Sequence, residues 1–447
     1  MPTAGLKDKE YVLKSARDLG VKFIRLWFTD ILGFLKNVAI TIEELEEALE
    51  EGVGFDGSSI EGFTRSEESD MIALPDPNTF AILPWRPKEN AVARMFCDIV
   101  RPGGEPFDGD PRYILKKNLQ RAVELGYNFY VGPELEHFYF KSAEDPKPLD
   151  SGGYFDLTPL DMASDLRRET ILAMEELGVG VEFSHHEVAP SQHEIDFRYT
   201  DALTMADSLM TYRLVVKEIA LKNGVYATFM PKPLSGENGS GMHVNISLFK
   251  TGRNAFFDAK DPAHLSDVAK RFLAGLLKHV REFTVVTNQW VNSYKRLTPG
   301  YEAPVYVTWA LTNRADLIRI PRAKPGKEEA CRLELRSPDP ACNPYLAFSV
   351  ILAAGLEGLT AENPLPLPPA AETNVAGLKE EERRRLGIQA LPRDLGEAIE
   401  VAQGSKLLRQ TLGDHITDSF LRNKRIEWER YCAAVTDFEL KTYLPLL

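Results

Sequence analysis

The sequence predicts an α+β fold built on an antiparallel sheet with one polar, ligand-bearing face. Three observations carry that expectation. Strand-like and long helical runs are interspersed irregularly, without the regular alternation of a parallel α/β fold. Several strand-like runs place acids on one face and apolar residues on the other. The chain has 447 residues, more than one small core needs, so about two or three domains are expected.

Taken in order, Gly5 to Leu19 carries a helical period that stops at Gly20, and Val21 to Ile40 reads as two strands turning near Asp30 and Gly33. Thr41 and Glu44 form a capping-box pattern ahead of an acidic amphipathic helix ending at Gly52. The segment Phe55-Asp56-Gly57-Ser58-Ser59 is a turn by composition, because aspartate and glycine suit turn backbones, and the charged run Arg65 to Asp70 follows. A strand, Ala91 to Val100, closes this small part. Arg101-Pro102-Gly103-Gly104 then reads as a linker into a helix capped by Asp110, so the boundary is set between residues 1–104 and 105–447. Beyond it, helices around Asp161 to Leu177, Ala202 to Asn223, Ala263 to Trp290 and Tyr345 to Leu359 alternate with short polar strands. Asn363 to Asn374 is proline-rich and reads as a surface loop, and helices from Arg393 to Val435 finish the chain. The tail Phe438 to Leu447 is apolar, which suits an association segment or a domain clasp.

Composition narrows the function. With 44% hydrophobic and 27% charged residues, the chain is an ordinary globular protein. A net charge of -13 argues against nucleic-acid or anionic-membrane partners and confines any phosphate binding to a pocket. Cys97, Cys331, Cys342 and Cys432 are scattered and form no C-x-x-C pair, which fits a reduced cytoplasmic setting. Met1 to Glu10 lacks an apolar signal core, and no apolar run approaches the roughly 20 residues of a spanning helix.

The chemistry concentrates in a few strands. Lys232 to Ser247 joins a loop with glycines at 236, 239 and 241, whose amides can approach an anionic group, to a strand on which His243, Asn245 and Ser247 share one face. Glu134 and Glu136 share a face in the run Phe129 to Phe140, Glu187 and Glu194 flank the loop Val188 to His193, and Arg332, Glu334 and Arg336 share another face. Each pair alone reads as a salt-bridged sheet face. Together they imply bound cations or many basic partners, because a poorly solvated carboxylate without counter-charge costs several kcal/mol. Oxygen-rich ligation with one imidazole favours magnesium or manganese over zinc or copper. Arg296, Arg314, Arg319, Arg332 and Arg336 supply planar cations for phosphate and carboxylate oxygens. No G-x-x-x-x-G-K-[ST] loop occurs, so the residues describe a metal-dependent, nucleotide-using enzyme acting on an anionic small molecule without a Walker motif.

In this order and spacing, the Phe55 to Ser59 loop, the Glu134/Glu136 pair, His186-Glu187-Val188-Ala189-Pro190, Lys232 to Ser247, Asn292 to Pro304 and Arg332 to Arg336 resemble type I glutamine synthetase along nearly the whole chain. The resemblance implies a small N-terminal β-grasp domain and a larger catalytic domain with a curved antiparallel sheet. It further implies a homo-dodecamer of two stacked six-membered rings with active sites between subunits. The implied reaction joins ammonia to the side-chain carboxylate of L-glutamate at the expense of ATP, through an acyl phosphate.

By the same resemblance Glu136, Glu187 and Glu194 hold one divalent cation (Mg2+ or Mn2+), and Glu134, His243 and Glu334 a second. Asn238, Gly239, Arg296 and Arg336 face glutamate or the reacting group, while Glu182, Ser247, Arg314, Arg319 and Arg332 lie on the ATP side, with Arg314 and Arg336 steadying phosphoryl charge. Asp56 helps bind and deprotonate ammonium in a neighbouring subunit's site, and Glu302 shields the acyl phosphate from water. Two features set the chain apart. Asn245 stands where many relatives have histidine, and no tyrosine occurs from Leu346 to Arg430, so adenylylation is not expected. The chain instead resembles the subclass inhibited by glutamine, in which an arginine at the position of Arg65 is implicated. The competing readings are a glutamate–amine ligase of the same fold, a non-catalytic structural relative and a guanidino kinase; the intact carboxylate set and Asp56 speak against them.

Overall fold

Alternating strands and well-capped helices fold the chain into two sheets. The computed structural model describes residues 7–60, 62, 70–324, 326–371 and 375–447; Arg65 lies outside the described residues.

The first sheet grows from a hairpin. Helix α1 (Lys9–Asp18) starts where the Asp8 carboxylate accepts from Tyr11 N, and β1 (Val21–Thr29) then pairs antiparallel with β2 (Leu35–Thr41). After α2 (Leu45–Glu51) come β3 (Val53–Asp56), β4 (Asp70–Pro75), β5 (Ala81–Ile82) and β6 (Ala91–Val100). The last of these runs parallel to β1, giving the order β2-β1-β6-β4-β3 with β5 beside β6. One face of the sheet, with Ile24, Leu26, Ala93 and Met95, packs on Val12 and Ala16 of α1 and on Leu45 and Leu49 of α2. Trp27 and Phe96 on the other face join the larger core. The expected Thr41–Glu44 capping box does not form. The chain first winds a 3-10 turn, Ile42–Glu44, with no side-chain cap from Thr41, and that tighter turn puts Glu44 at the N-cap of the following helix rather than in its first turn.

Helix α3 (Pro111–Glu124) begins as its sequence predicts, the Asp110 carboxylate accepting from Arg112 N at 3.0 Å. There follow β7 (Asn128–Phe140), α4 (Ser164–Glu176), β8 (Val181–His186), β9 (Gln192–Phe197), β10 (Thr200–Asp201), α5 (Ala202–Lys222), β11 (Tyr226–Thr228), β12 (Met242–Lys250) and β13 (Arg253–Asn254). Next come α6 (Asp267–Thr287), α7 (Ser293–Arg296), β14 (Trp309–Ala310), β15 (Ile318–Arg319), β16 (Leu333–Leu335) and α8 (Pro344–Thr360). Helices α9 (Glu380–Arg385), α10 (Leu395–Gln403), α11 (Lys406–Ala433) and α12 (Asp437–Tyr443) complete the chain.

The second sheet has the order β14-β15-β16-β12-β7-β9-β8, with β10 and β11 on β7 and β13 on β12. Every pair in it is antiparallel except β14 with β15. Val131, Leu135, Ile195, Val244, Ile246, Leu333 and Leu335 fill one face and pack into the main core with residues of α5, α6 and α8. That burial fixes the register, because a slip of one residue would expose every one of them. The opposite face is therefore left to the polar side chains. Arg112 of α3 fastens the first sheet to α5: it pairs with Asp76, just after β4, at 2.8 Å, with Asp98 of β6 at 2.7 Å and with Asp207 of α5 at 2.9 Å. At the far end Phe438, Tyr443, Leu444, Leu446 and Leu447 are exposed. No helix among the described residues is long and apolar enough to cross a membrane.

Candidate active site

The polar face of the second sheet draws acidic, imidazole and amide side chains from four adjacent strands, β16, β12, β7 and β9, into one place. Pairing sets His243 opposite Glu134, Glu136 opposite Glu194 and Glu134 opposite Asp196, while Glu334 on β16 lies opposite Asn245. A cavity of about 270 Å³ opens over this face. It is lined by Glu134, Glu136, Glu187, Glu194, Asn238, Gly239, His243, Arg296, Glu302, Arg314, Arg319, Arg332, Glu334 and Arg336. An adjoining cavity, which shares Glu134, Phe183, Asp196 and Arg332, is lined by Glu182 and Ser247. Asp56 lines neither: it ends β3, is exposed, and accepts from Ser58 N at 2.8 Å.

The glycine-rich loop reaches the carboxylates through its backbone. Gly241 N donates to Glu136 Oε2 at 3.0 Å, and a Cβ at Gly241 would stand 2.5 Å from an Arg296 nitrogen. A Cβ at Gly239 would stand 2.2 Å from the Pro231 carbonyl, so that position needs glycine, whereas a Cβ at 241 would push the Arg296 tip aside. The loop Val188 to His193 is shorter than expected. Strand β9 begins at Gln192, so Glu194 lies within the strand opposite His185 rather than at a loop end.

Burial and mutual repulsion raise the carboxyl pKa values. Glu136 is pushed up to about 7, chiefly by burial, despite Arg296 and a bond from Gly241 N. Burial and then the Glu136 charge push Glu187 up to about 8, and burial with Glu134 does the same to Asp196. Glu194 is raised well above its ordinary value by burial and by Asp196. His243 is held well below the usual imidazole range, first by burial and then by Arg336. Such a set binds protons unless another cation supplies the counter-charge.

The donors suit divalent cations. Single ligand atoms of Glu134, Glu194 and His243 lie within 4.8 Å of one another, and so do those of His185, Glu187 and Glu194. Carboxylate oxygens with neutral imidazole fit magnesium or manganese. Glu334 is committed differently: Arg319 donates to its Oε2 at 2.7 Å and Arg336 to its Oε1. Its carboxylate thus already carries two guanidinium partners. Arg296 is also engaged, donating to the carbonyls of Ser337 at 2.8 Å and Arg336 at 3.0 Å. The neighbouring Tyr154 holds the Arg314 guanidinium above its ordinary pKa.

Several residues at the site escaped the sequence reading. Gln192 donates to Glu136 Oε2 at 2.7 Å, His185 lies 3.3 Å from Glu194, and Asp196 sits beside Glu134. The period-2 pattern Gln192, Glu194, Asp196 would have found two of them. Tyr154, Phe155, Phe183 and Tyr301 form aromatic parts of the wall.

Fold and site together define an α+β enzyme that gathers carboxylates for cations and arginines for anionic groups on one sheet face. The family model described as "Glutamine synthetase, beta-Grasp domain" matches residues 20–102, and that described as "Glutamine synthetase, catalytic domain" matches residues 108–443. The chain is 54% identical over 443 residues to the glutamine synthetase of Methanosarcina mazei, covering 98% of each chain. It is 53% identical over 446 residues to that of Mycolicibacterium smegmatis, covering 98% of this chain and 100% of that one. The solved structure described as "GmaS/ADP complex-Conformation 1" matches with a TM-score of 0.88 at 31% identity, covering 98% of this chain and 100% of that chain. Plasmodium falciparum glutamine synthetase, solved by cryo-EM, also gives 0.88, at 25% identity over 99% of this chain and 100% of that chain. The chain belongs to the glutamine synthetase family, with that family's β-grasp domain and catalytic domain.

Proposed function

We propose that this enzyme ligates ammonia to the side-chain carboxylate of L-glutamate, using ATP and passing through γ-glutamyl phosphate, to give glutamine, ADP and phosphate. The observation that carries the reading is the convergence of Glu134, Glu136, Glu187, Glu194 and His243 on one face beside Arg314, Arg319, Arg332 and Arg336. A carboxylate is a poor electrophile, so its oxygen first takes the γ-phosphoryl group and ammonia then displaces phosphate. Divalent cations, magnesium or manganese, would neutralise phosphate charge when bound; Glu136, Glu187 and Glu194 would hold one and Glu134, His243 and Glu334 the other. Glu334 would serve a cation while also paired with Arg319 and Arg336, whose guanidiniums stand beside the phosphoryl position.

On the substrate side, Asn238, Gly239, Arg296 and Arg336 frame glutamate, with Arg296 acting by holding the 336–338 backbone. The adjoining cavity, with Glu182, Ser247 and Arg332, takes the nucleotide. Glu302 covers the acyl phosphate, excluding water. Asp56 serves ammonium from a neighbouring subunit in a dodecamer of two rings, and Arg65 takes part in glutamine feedback. The division into residues 1–104 and 105–447, the cytoplasmic location and the absence of adenylylation belong to the same proposal.

The test measures phosphate and glutamine released from ATP, glutamate and ammonium with Mg2+ or Mn2+, beside a panel of amines. The expected result is one phosphate per glutamine with ammonium preferred. Preference for an amine, or no turnover with either metal, overturns the reading.

A further inference from the structure

Segment 299–304, which carries Glu302, has few fastenings. No backbone hydrogen bond ties it to the rest of the described chain, and its side chains make no hydrogen bond or ion pair there. Glu302 nevertheless holds a left-handed backbone, φ 54°, beside Gly300 at φ 97°. A glutamate adopts that conformation at a cost and keeps it only where its surroundings enforce it. Among the described residues Glu302 interacts with its surroundings through the nearby Arg314 and Glu187 charges, and the segment's one ring contact is a cation over a ring: Lys232 Nζ stands 3.5 Å from the centroid of Tyr301.

Lys232 is a firm anchor. Its backbone N donates to Asn292 Oδ1 at 2.7 Å, its carbonyl accepts from Asn292 Nδ2 at 3.1 Å, and its ammonium also donates to the Glu237 carbonyl. It does not itself line the carboxylate cavity, whereas Tyr301, Glu302 and Ala303 do. Among the described residues it pairs with no carboxylate, so its charge is available to the ring.

We propose that Lys232 is a positioning residue that latches the Glu302 segment over the cavity by gripping the Tyr301 ring from the base of the glycine-rich loop. The proposal rests on the reading that an acyl phosphate forms beneath that segment. With the latch loosened, water reaches the acyl carbon or phosphorus. Glutamyl phosphate then returns to glutamate and phosphate, so ATP is hydrolysed without a new C–N bond. The loop that carries Asn238 and Gly239 thereby also controls closure of the opposite wall.

The experiment compares Lys232→Met, Tyr301→Leu and the double variant with Lys232→Arg and Tyr301→Phe, reading phosphate released per glutamine formed. In Lys232→Met and Tyr301→Leu, glutamate-dependent phosphate release without ammonium rises by roughly 2- to 30-fold, the factor a cation–π contact carries. The double variant shows no more than either single one, and Lys232→Arg and Tyr301→Phe keep the wild-type ratio. A wild-type ratio in both disruptive variants, or additive effects in the double, overturns the latch. A second readout needs no turnover: chymotryptic cleavage after Tyr301 in the substrate-free enzyme rises in Lys232→Met. Unchanged cleavage overturns the latch whatever the reaction, whereas failure of the wild-type enzyme to make glutamine overturns only the functional reading.

Discussion

Asn245 connects the two halves of the site through one neutral amide. Its Nδ2 donates to Glu134 Oε1 at 2.8 Å and to the Gly132 carbonyl at 3.0 Å, and its Oδ1 accepts from Arg332 Nε at 2.8 Å. It thereby orients the Glu134 carboxylate, which the proposal puts on a cation, and the Arg332 guanidinium, which it puts on the nucleotide. A hydrogen bond to a charged group contributes about 1.5–3 kcal/mol when buried, and partial exposure here reduces that to about 1 kcal/mol. Asn245→Leu should therefore raise the KM for ATP by about 5-fold, with a smaller change for glutamate. Steady-state kinetics with each substrate varied in turn decides this, and equal rises in both constants would contradict the assignment. The sequence exposes the side on which Asn245 projects but not its partners. Those come from β7 and from Arg332 beside β16, far away in the chain and brought close only by strand register.

At the scale of elements, period-2 alternation made the catalytic strands legible, because burial of Leu135, Val244, Ile246, Leu333 and Leu335 forces Glu134, His243 and Glu334 to the other side. Long-range charge pairing was not legible. Arg112 gathers Asp76, Asp98 and Asp207 from three elements, and no local pattern announces it. The cap of α3 was readable, yet its titration was not. Burial and the nearby Asp98 charge push the Asp110 carboxyl up to about 7, although Ile99 N and Arg112 N both donate to it. Since the unfolded value is about 3.9, this group favours folding fully below about pH 4, and its contribution is lost as pH rises through 7. The difference amounts to a few kcal/mol at most. The expected outcome is that the stability of the wild type minus that of Asp110→Asn falls between pH 4 and 7 and is level outside that window. Asparagine places an amide against Ile99 N, but that penalty is constant with pH and cancels from the slope. Denaturant midpoints measured across the range check it, and a flat difference would show that Asp110 remains charged throughout.

The whole molecule poses a different question, because one chain does not bring every proposed group together. Asp56 is exposed at the end of β3, outside the lining of the carboxylate cavity, on the sheet that Arg112 fastens to α5. Under the proposed reaction this acid would serve an ammonium ion in a neighbouring chain's cavity, and the exposed apolar tail, with Phe438, Tyr443, Leu444, Leu446 and Leu447, offers a surface for association. The sequence suggested the residue through its resemblance, but periodicity could not place it, since an intersubunit site leaves no mark on local pattern. Complementation tests the arrangement directly. Asp56→Ala removes the ammonium acid but leaves its own cavity intact, while Glu136→Gln disables its own cavity but keeps Asp56. Each variant alone should be severely impaired, by about 100-fold or more for loss of a proton-transfer group. In co-expressed mixed oligomers, an intact cavity faces an intact Asp56 at about a quarter of the sites if the acid acts on its neighbour. Activity should then recover to about that fraction of wild type. If Asp56 served its own cavity, no mixed site would hold both groups, and the mixture would remain as inactive as its parents.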